Sequence, residues 1–170
     1  NGHGKFNVVR LYGGEGQGLN DLPLGEMGPR WMPAGSALLV WSPLYRGHLT
    51  PEATRAEREA RKQAKMKARV TEDRVYRYWD RWLTGGEVPH LFRVDAVTGA
   101  ATDLMPEWAR LLDFEEAGSG YDVSPEGCEV AFHALAVDPP YPEMRMAVYT
   151  LVLAGGEPRP VDPDGPPSQR

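Results

Sequence analysis

The chain has 170 residues, enough for one domain, and a hydrophobic content of 41% that can form a core. Its net charge of −5 gives no general case for binding nucleic acid or an anionic membrane, and no apolar stretch approaches the roughly 18 residues of a membrane helix. The single cysteine, Cys128, excludes an internal disulfide and fits a reducing compartment, so we expect a cytoplasmic protein.

Two turn patterns recur along the chain, and each is typical of antiparallel strands. The first pattern is an apolar run followed by a glycine turn and a second apolar run. It occurs three times, at residues 10–19, 91–104 and 148–161. A Pro-x-Gly turn between apolar runs occurs at residues 31–41 and 123–132, where proline presets φ and glycine takes the left-handed position. Together the patterns predict strands over residues 28–33, 37–42, 90–95, 100–105, 119–124, 128–134, 146–153 and 157–161.

The alternation of the two hairpins predicts four-stranded units, whose repetition is typical of a β-propeller. The spacing fits a period of roughly 50 residues, provided that one unit carries an insertion between Pro43 and Pro89. We therefore predict an all-β fold of about two and a half four-stranded propeller blades with one inserted helix, as a fragment of a larger ring. A generic antiparallel sandwich is the alternative fold.

The predicted units divide the chain into three parts. Residues 1–27 would form the last hairpin of a preceding blade. Residues 28–110 would form a blade with a long insertion over about 43–89, and residues 111–170 the next blade and a flexible end.

The insertion contains the clear helix of the sequence, predicted within residues 50–69. Thr50 can cap it, Pro51 suits the first helical position and Glu52 favours the positive end of the dipole. A stripe of small side chains, which we expect to face the sheet, is formed by Ala53, Ala56, Ala60 and Ala64. The excess of basic residues allows a patch for an acidic partner or nucleic acid, but the absence of aromatics favours a solvated helix.

Residues 75–82 follow the helix and would have two faces as a single strand. One face carries Arg77, Trp79 and Arg81, and the other carries Tyr76, Tyr78, Asp80 and Trp82. Two arginines beside exposed aromatic rings can hold a carboxylate while the rings flank an apolar side chain. Arg77, Trp79 and Arg81 are therefore the candidate substrate-binding residues, and a structural edge strand is the alternative interpretation.

Motifs for catalysis, metals and cofactors are missing from the sequence. The four histidines are scattered without a metal-binding spacing, which favours surface or packing roles. Residues 13–18 lack the G-x-G-x-x-G order of a phosphate loop, and residues 117–121 lack the outer glycines of a G-x-S-x-G elbow. We expect no catalytic residue, no metal site and no cofactor in this chain.

Several segments resemble the N-terminal propeller of the prolyl oligopeptidase family of serine peptidases, especially its acylaminoacyl-peptidase-like branch. Ser124-Pro125-Glu126-Gly127, followed by Val130-Ala131-Phe132, resembles the family's recurrent Ser-Pro-Asp-Gly and Leu-Ala-Phe. Gly13-Gly14-Glu15 with Leu19-Asn20-Asp21 is similar to its Gly-Gly-Glu and Leu-Thr-Asp. Residues 74–78, 89–95 and 98–99 resemble its insertion-bearing blade. Met32-Pro33-Ala34-Gly35 departs from the Ser-Pro-Asp-Gly form.

The resemblance implies a propeller that covers a separate C-terminal α/β-hydrolase domain, which carries the catalytic triad and lies outside this sequence. In such enzymes the propeller restricts entry to short peptides and places arginines near them, for which Arg77 and Arg81 are the candidates here. The expected partners are a peptide substrate, the remainder of the propeller and the hydrolase domain, without nucleic acid or a membrane.

A fragment of about two and a half blades would leave two outer apolar sheet faces uncovered, so we also expect self-association. Two other functions stay open. One is a segment of a scaffold or binding propeller without a hydrolase domain, and the other is a free-standing sandwich-type binding protein.

Overall fold

A computed structural model describes residues 5–9, 12–13, 15–65, 70–78, 81–83, 85–111, 120–138 and 140–162. The elements are β1 (Asn7–Val8), β2 (Gln17–Gly18), β3 (Met27–Trp31), β4 (Ala37–Tyr45), α1 (Pro51–Gln63), β5 (Arg77–Tyr78), β6 (Arg81–Trp82), β7 (Glu87–Asp95), β8 (Ala101–Asp103), β9 (Tyr121–Val123), β10 (Glu129–Leu135), β11 (Met146–Val152) and β12 (Arg159–Pro160). Each predicted strand coincides with one of β3, β4 and β7–β12.

Two antiparallel four-stranded sheets form the body of the protein. The first sheet has the order β3-β4-β7-β8 and the second has the order β9-β10-β11-β12. In each sheet the strands are therefore arranged in the order in which they occur along the chain. Two short ribbons accompany them: β1–β2, the N-terminal ribbon, and β5–β6, the insertion ribbon. The prediction of a mostly β fold with one helix is confirmed for the described residues, whereas its assignment to a propeller stays a prediction.

The Pro-x-Gly turns of the two sheets share one backbone geometry. In the β3–β4 turn the amide of Met32 donates to the carbonyl of Ala37 at 2.9 Å, and the amide of Gly35 donates to the carbonyl of Met32 at 2.8 Å. In the β9–β10 turn the corresponding amides make the same two bonds, at 2.9 and 2.8 Å. Gly35 and Gly127 both have φ of 69°, in the left-handed region that glycine tolerates. The predicted repeat of this turn is confirmed.

The insertion lies within the predicted limits, between Pro43 and Pro89. The β4–β7 ladder runs without a break from Ala37 opposite Asp95 to Tyr45 opposite Glu87, so the connection covers residues 46–86. Pro43 and Pro89 are ladder partners rather than boundaries. Both prolines lie beyond the last register pairs of the flanking strands β3 and β8, so the N–H donor that proline lacks is not required there for a ladder bond.

The two sheets stack face to face, and the equivalent faces of both point in the same direction. Leu38 and Val40 of β4 occupy the positions, counted from the turn glycine, that Val130 and Phe132 occupy in β10. Val130 and Phe132 pack toward the first sheet, in a core with Leu39, Trp41 and Leu91. Leu38 and Val40 pack away from the second sheet, against Phe6, Val8 and Leu19 of the N-terminal segment. Equivalent faces therefore point the same way, in the order N-terminal ribbon, first sheet, second sheet.

The core between the sheets is largely aromatic. Trp41 meets Tyr121 and Phe132 edge to face, with ring centroids 5.6 and 5.5 Å apart. The Tyr121 hydroxyl, on β9, also contacts the carbonyls of Gly28 and Leu39 in the first sheet, the second at 2.9 Å. Burial raises the pKa of Tyr121, so the hydroxyl remains a hydrogen-bond donor. This contact ties the two sheets together.

The N-terminal segment and residue 49 cover the outer face of the first sheet. The side chains that cover it are Phe6, Val8, Leu19, Leu22 and Leu49. On the outer face of the second sheet, Ala131, His133 and Thr150 are half-buried and Val152 is exposed. At the end of this face, Leu135 is fully buried in a cluster with Leu111 and Tyr141. The expected self-association stays a prediction.

Helix α1 begins as the sequence predicts, with the Thr50 side chain accepting a hydrogen bond from the amide of Ala53 at 3.1 Å. The helix is neither long nor apolar enough to cross a membrane, and no other helix among the described residues is. The expectation that the alanine stripe faces the sheet is wrong, because Ala56, Ala60 and Ala64 are exposed.

Thr54 and two arginines form the inner face of α1 instead. The buried Thr54 hydroxyl donates to the carbonyl of His48 at 2.6 Å and accepts from the amide of Tyr45 at 3.1 Å. Arg58 and Arg61 donate to the carbonyls of Pro23 and Gly85, and the Arg61 guanidinium lies 3.8 Å from the ring centroid of Tyr45. Their long stems cover surface that alanine cannot reach, so part of the basic excess fixes the helix in place.

Candidate functional site

The segment with the candidate residues folds back on itself. Its register pairs Arg77 with Trp82 and Tyr78 with Arg81, so the prediction of one continuous strand over 75–82 is wrong. The two arginines lie on different strands of the insertion ribbon, and Trp79 lies outside the described residues. A lone edge strand would leave its backbone groups unpaired, and the hairpin pairs them within the segment.

The ribbon presents an aromatic surface that carries a positive charge. The Arg77 guanidinium lies 5.5 Å from the ring centroid of Trp82, within the range of a cation–π contact. The ring of Tyr76 lies 6.2 Å from that of Trp82, and each of these two side chains is 51% exposed. Large exposed aromatic groups that lie together are typical of interaction surfaces.

The insertion ribbon is attached to the connection between β10 and β11. The amide of Arg74 donates to the carbonyl of Pro140 at 2.8 Å. Val75 and Leu83, which flank the ribbon, pack against the buried cluster of Leu111, Leu135 and Tyr141. The ribbon of the first sheet's insertion therefore rests on Pro140 and Tyr141 of this connection, together with Leu135 of β10 and Leu111.

Tyr141 is the centre of this attachment. Its side chain is fully buried, and its φ of 53° lies in the left-handed region, where a bulky residue is an outlier. Its hydroxyl accepts from Arg46 at 2.9 Å and donates to the carbonyl of Ala109 at 3.3 Å, and Arg46 also bonds Asp73 at 3.0 Å. Burial raises the pKa of Tyr141, so it keeps its proton. These bonds hold a strained backbone that would otherwise relax.

An open groove of about 460 Å³, the ribbon groove, lies between the ribbon and residues 140–144. Its lining residues are Arg74, Val75, Tyr76, Arg77, Tyr141, Pro142, Glu143 and Met144. Glu143 pairs with Arg145 at 3.3 Å, and the guanidinium-bearing residues Arg74 and Arg77 belong to the lining as well. Met144, 55% exposed, adds apolar surface opposite Tyr76. The groove suits an extended peptide with an acidic and an apolar side chain.

Of the candidate residues Arg77, Trp79 and Arg81, Arg77 is among the residues that line this groove, and no sequence pattern indicated the opposite wall. Pro142 and Met144 carry no motif that points to a site, and their position depends on the contact of Tyr141 with Arg46, residues far apart in the sequence. The three prolines among residues 139–142 indicate only an irregular connection.

A buried histidine–carboxylate pair lies in the first sheet, away from the ribbon groove. His90 is fully buried, with Nδ1 2.7 Å from the carboxylate of Asp103 and Nε2 3.0 Å from the carbonyl of Trp108. A carbonyl only accepts, so Nε2 carries a proton and cannot serve as a base or a metal ligand. The pair joins β7 to β8 and to the following loop, as expected of a packing histidine. Among the described residues no group of side chains is arranged to hold a metal ion.

Comparison with known proteins adds no family assignment. No protein-family model and no curated protein matches the sequence. The resemblance to the prolyl oligopeptidase propellers therefore depends on the turn motifs and the insertion-bearing segment.

Proposed function

We propose that this chain is a non-catalytic propeller segment of an oligopeptide-cleaving serine peptidase of the acylaminoacyl-peptidase-like branch. In this role it limits the access of substrates to a separate α/β-hydrolase domain. The observation that carries the proposal is the stacking of two four-stranded antiparallel sheets with equivalent faces pointing the same way. Successive propeller blades pack in this manner.

The turns of the two sheets give further support. A Cβ atom added to Gly127 would lie 3.2 Å from Cδ of Pro33, so the two Pro-x-Gly turns lie side by side. A sandwich of two sheets related by an approximate twofold axis would not bring equivalent turns and equivalent faces into this order. The Ser124-Pro125-Glu126-Gly127 turn is also the motif that most resembles the peptidase propellers.

The reading frame of the parent protein provides the first test. We expect further sheet units with Pro-x-Gly turns, followed by a G-x-S-x-G elbow at a strand–helix junction. The purified parent should cleave blocked peptides and be labelled at that serine by a fluorophosphonate. A frame without an elbow, or a parent that is not labelled, would refute the peptidase assignment.

A binding or scaffold propeller without a hydrolase is the second candidate, and the ribbon groove favours it. Tyr76, Trp82 and Met144 form an exposed apolar surface that can bind a peptide without any nearby chemistry. In this case the parent should bind peptides at the groove and show no labelling by the serine-directed reagent.

A further inference from the structure

A second cavity, the Trp108 pocket, lies at the end of the core between the two sheets. It has a volume of about 440 Å³ and opens between residues 105–110, Asp138 and the β11–β12 turn. Its apolar wall is formed by Met105, Pro106, Trp108, Ala109 and Pro158. This size and an apolar lining with a few polar groups are typical of sites for small ligands or single side chains.

The pocket is pre-formed because its aromatic wall is part of the core. Trp108 is 8% exposed, and its ring meets Phe132 and Tyr149 edge to face at 5.5 and 5.2 Å. Its indole nitrogen donates to the carbonyl of Arg110 at 2.8 Å, which fixes the loop. A ligand would therefore meet a rigid wall, at a low cost in conformational entropy.

Arg110 belongs to the wall rather than offering a free charge. Its Nε donates to Asp138 at 2.7 Å, its Nη1 donates to the hydroxyl of Tyr149 at 2.8 Å, and its guanidinium lies 5.6 Å from the ring centroid of Trp108. The hydrogen bond with Asp138 raises the pKa of Arg110 further, so the arginine remains charged and neutralises that carboxylate.

The charge left in the pocket is negative. Glu107 and Glu157 also line it, both are exposed, and neither has a cationic partner among the residues that the structure describes. With Asp138 neutralised by Arg110, these two carboxylates set the electrostatic preference of the cavity. They disfavour an anion and favour a cation that enters beside them.

We propose that the Trp108 pocket binds a primary ammonium group on an aromatic or aliphatic body, as in an arylalkyl amine or the lysine side chain of a peptide. The apolar body lies against Trp108 and the prolines, and the ammonium group lies between the carboxylates of Glu107 and Glu157. This site is separate from the ribbon groove, and its existence does not depend on the proposed peptidase role.

Three probes of similar shape test the proposal: benzylammonium, benzyl alcohol and benzoate. The reporters in two-dimensional NMR are the indole N–H of Trp108 and the amide of Gly156, with the indole of Trp82, which does not line the pocket, as a control. We expect saturable shifts of both reporters with benzylammonium, weaker binding of benzyl alcohol and the weakest binding of benzoate. Equal or tighter binding of the alcohol or of benzoate, or no saturable shift with benzylammonium, would overturn the proposal.

Paired variants separate charge from shape. The double variant Glu107→Gln and Glu157→Gln should weaken benzylammonium binding about three- to tenfold, as expected for partly exposed ion pairs, and leave benzyl alcohol binding unchanged. The matched control, the double variant Glu126→Gln and Glu129→Gln, removes two exposed carboxylates outside the pocket and should change neither. Equal weakening by the control would show that only the overall charge of the protein matters, which would also refute the site.

Discussion

At the residue scale, Gly99 in the β7–β8 turn lies directly against the main chain of Leu19 in the N-terminal segment. It has φ of 72°, and a Cβ atom at this position would lie 1.7 Å from the carbonyl oxygen of Leu19. We expect Gly99→Ala to lower the free energy of unfolding by more than about 3 kcal/mol, because the cost of backbone strain is added to the cost of a clash with the main chain of Leu19. Urea denaturation followed by fluorescence measures the loss.

Gly35→Ala is the matched control for this prediction. Gly35 has φ of 69°, and a Cβ atom there would meet no atom within 4 Å. Only the strain of a left-handed backbone remains, which should cost about 1–2 kcal/mol. Equal losses for the two variants would show that the N-terminal segment does not hold its position against Gly99.

Glu26 gives the protein a distinct pH dependence. Its side chain is buried, Oε1 has no hydrogen-bond partner, and burial raises the pKa of the carboxyl group against the opposing effect of the amides of Phe6 and Leu22. A raised pKa favours the protonated form in the folded state. The stability that Glu26 contributes is therefore complete below its ordinary pKa and is lost as the pH rises through the folded-state value.

We expect Glu26→Gln to increase the free energy of unfolding at pH 7 and to have little effect near pH 4. Lys5 lowers the pKa of Asp21, and the amide of Thr98 lowers that of Asp95. These two carboxylates act in the opposite sense, because the stability that they contribute to the protein is lost as the pH falls. The difference between the two proteins isolates Glu26 from these groups. Denaturation across this pH range is the measurement, and a constant difference would contradict the assignment.

At the scale of elements, α1 depends on arginine side chains for its position on the first sheet. Arg58 is half-buried and donates to the carbonyl of Pro23, whereas Lys62 is exposed and pairs with Glu59 at 2.6 Å within the helix. We expect Arg58→Ala to cost about 1.5–3 kcal/mol, the range for hydrogen bonds to charged groups, and Lys62→Ala less than about 0.5 kcal/mol. Urea denaturation tests both, and similar small losses would mean that the helix is not fixed by Arg58.

The helix also marks where local sequence reasoning succeeds and where it fails. Thr50 and Pro51 define the start of α1 by capping geometry, which depends only on neighbouring residues. The alanine stripe gave the wrong inner face, because small side chains gain little from burial while Arg58 and Arg61 reach carbonyls that the sequence does not place.

The same distinction explains the strands. The turns at Gly35 and Gly127 need a left-handed residue, so their position and the flanking strands could be predicted from the sequence. The insertion ribbon was missed because residues 79 and 80 are Trp and Asp, without the Asn-Gly or Gly signal of a tight hairpin. The opposite wall of the ribbon groove depends on the long-range contact between Arg46 and Tyr141 and has no local signal.

At the scale of the whole molecule, the proposed peptidase role gives Arg77 a function that kinetics can separate from a structural one. In the full-length parent we expect Arg77→Ala to lower kcat/KM for acidic peptides about ten- to a hundredfold, the loss of one charge-assisted hydrogen bond. A small neutral ester that does not reach the ribbon should be cleaved normally. Arg77→Lys should recover part of the loss, because lysine keeps the charge and lacks the planar fork.

Arg93→Ala is the control for this prediction, since Arg93 is exposed on β7 and does not line the groove. It should leave both substrates unaffected. Equal losses for peptide and ester with Arg77→Ala, together with a lower Tm, would assign Arg77 to the structure of the ribbon. Arg81→Ala tests the second predicted arginine separately, because the hairpin places it on the other strand.

The unequal connections within the two sheets have a consequence for the order of folding. In the second sheet, β10 and β11 are joined by residues 136–145, whereas in the first sheet β4 must find β7 across residues 46–86. The entropy lost on closing a connection rises with its length, so the central pairing of the second sheet has the lower closure cost. Local formation of α1 orders only residues 51–63 of the longer connection, so it reduces the difference in closure entropy only in part. The sheet that is synthesised second is therefore the one expected to form first.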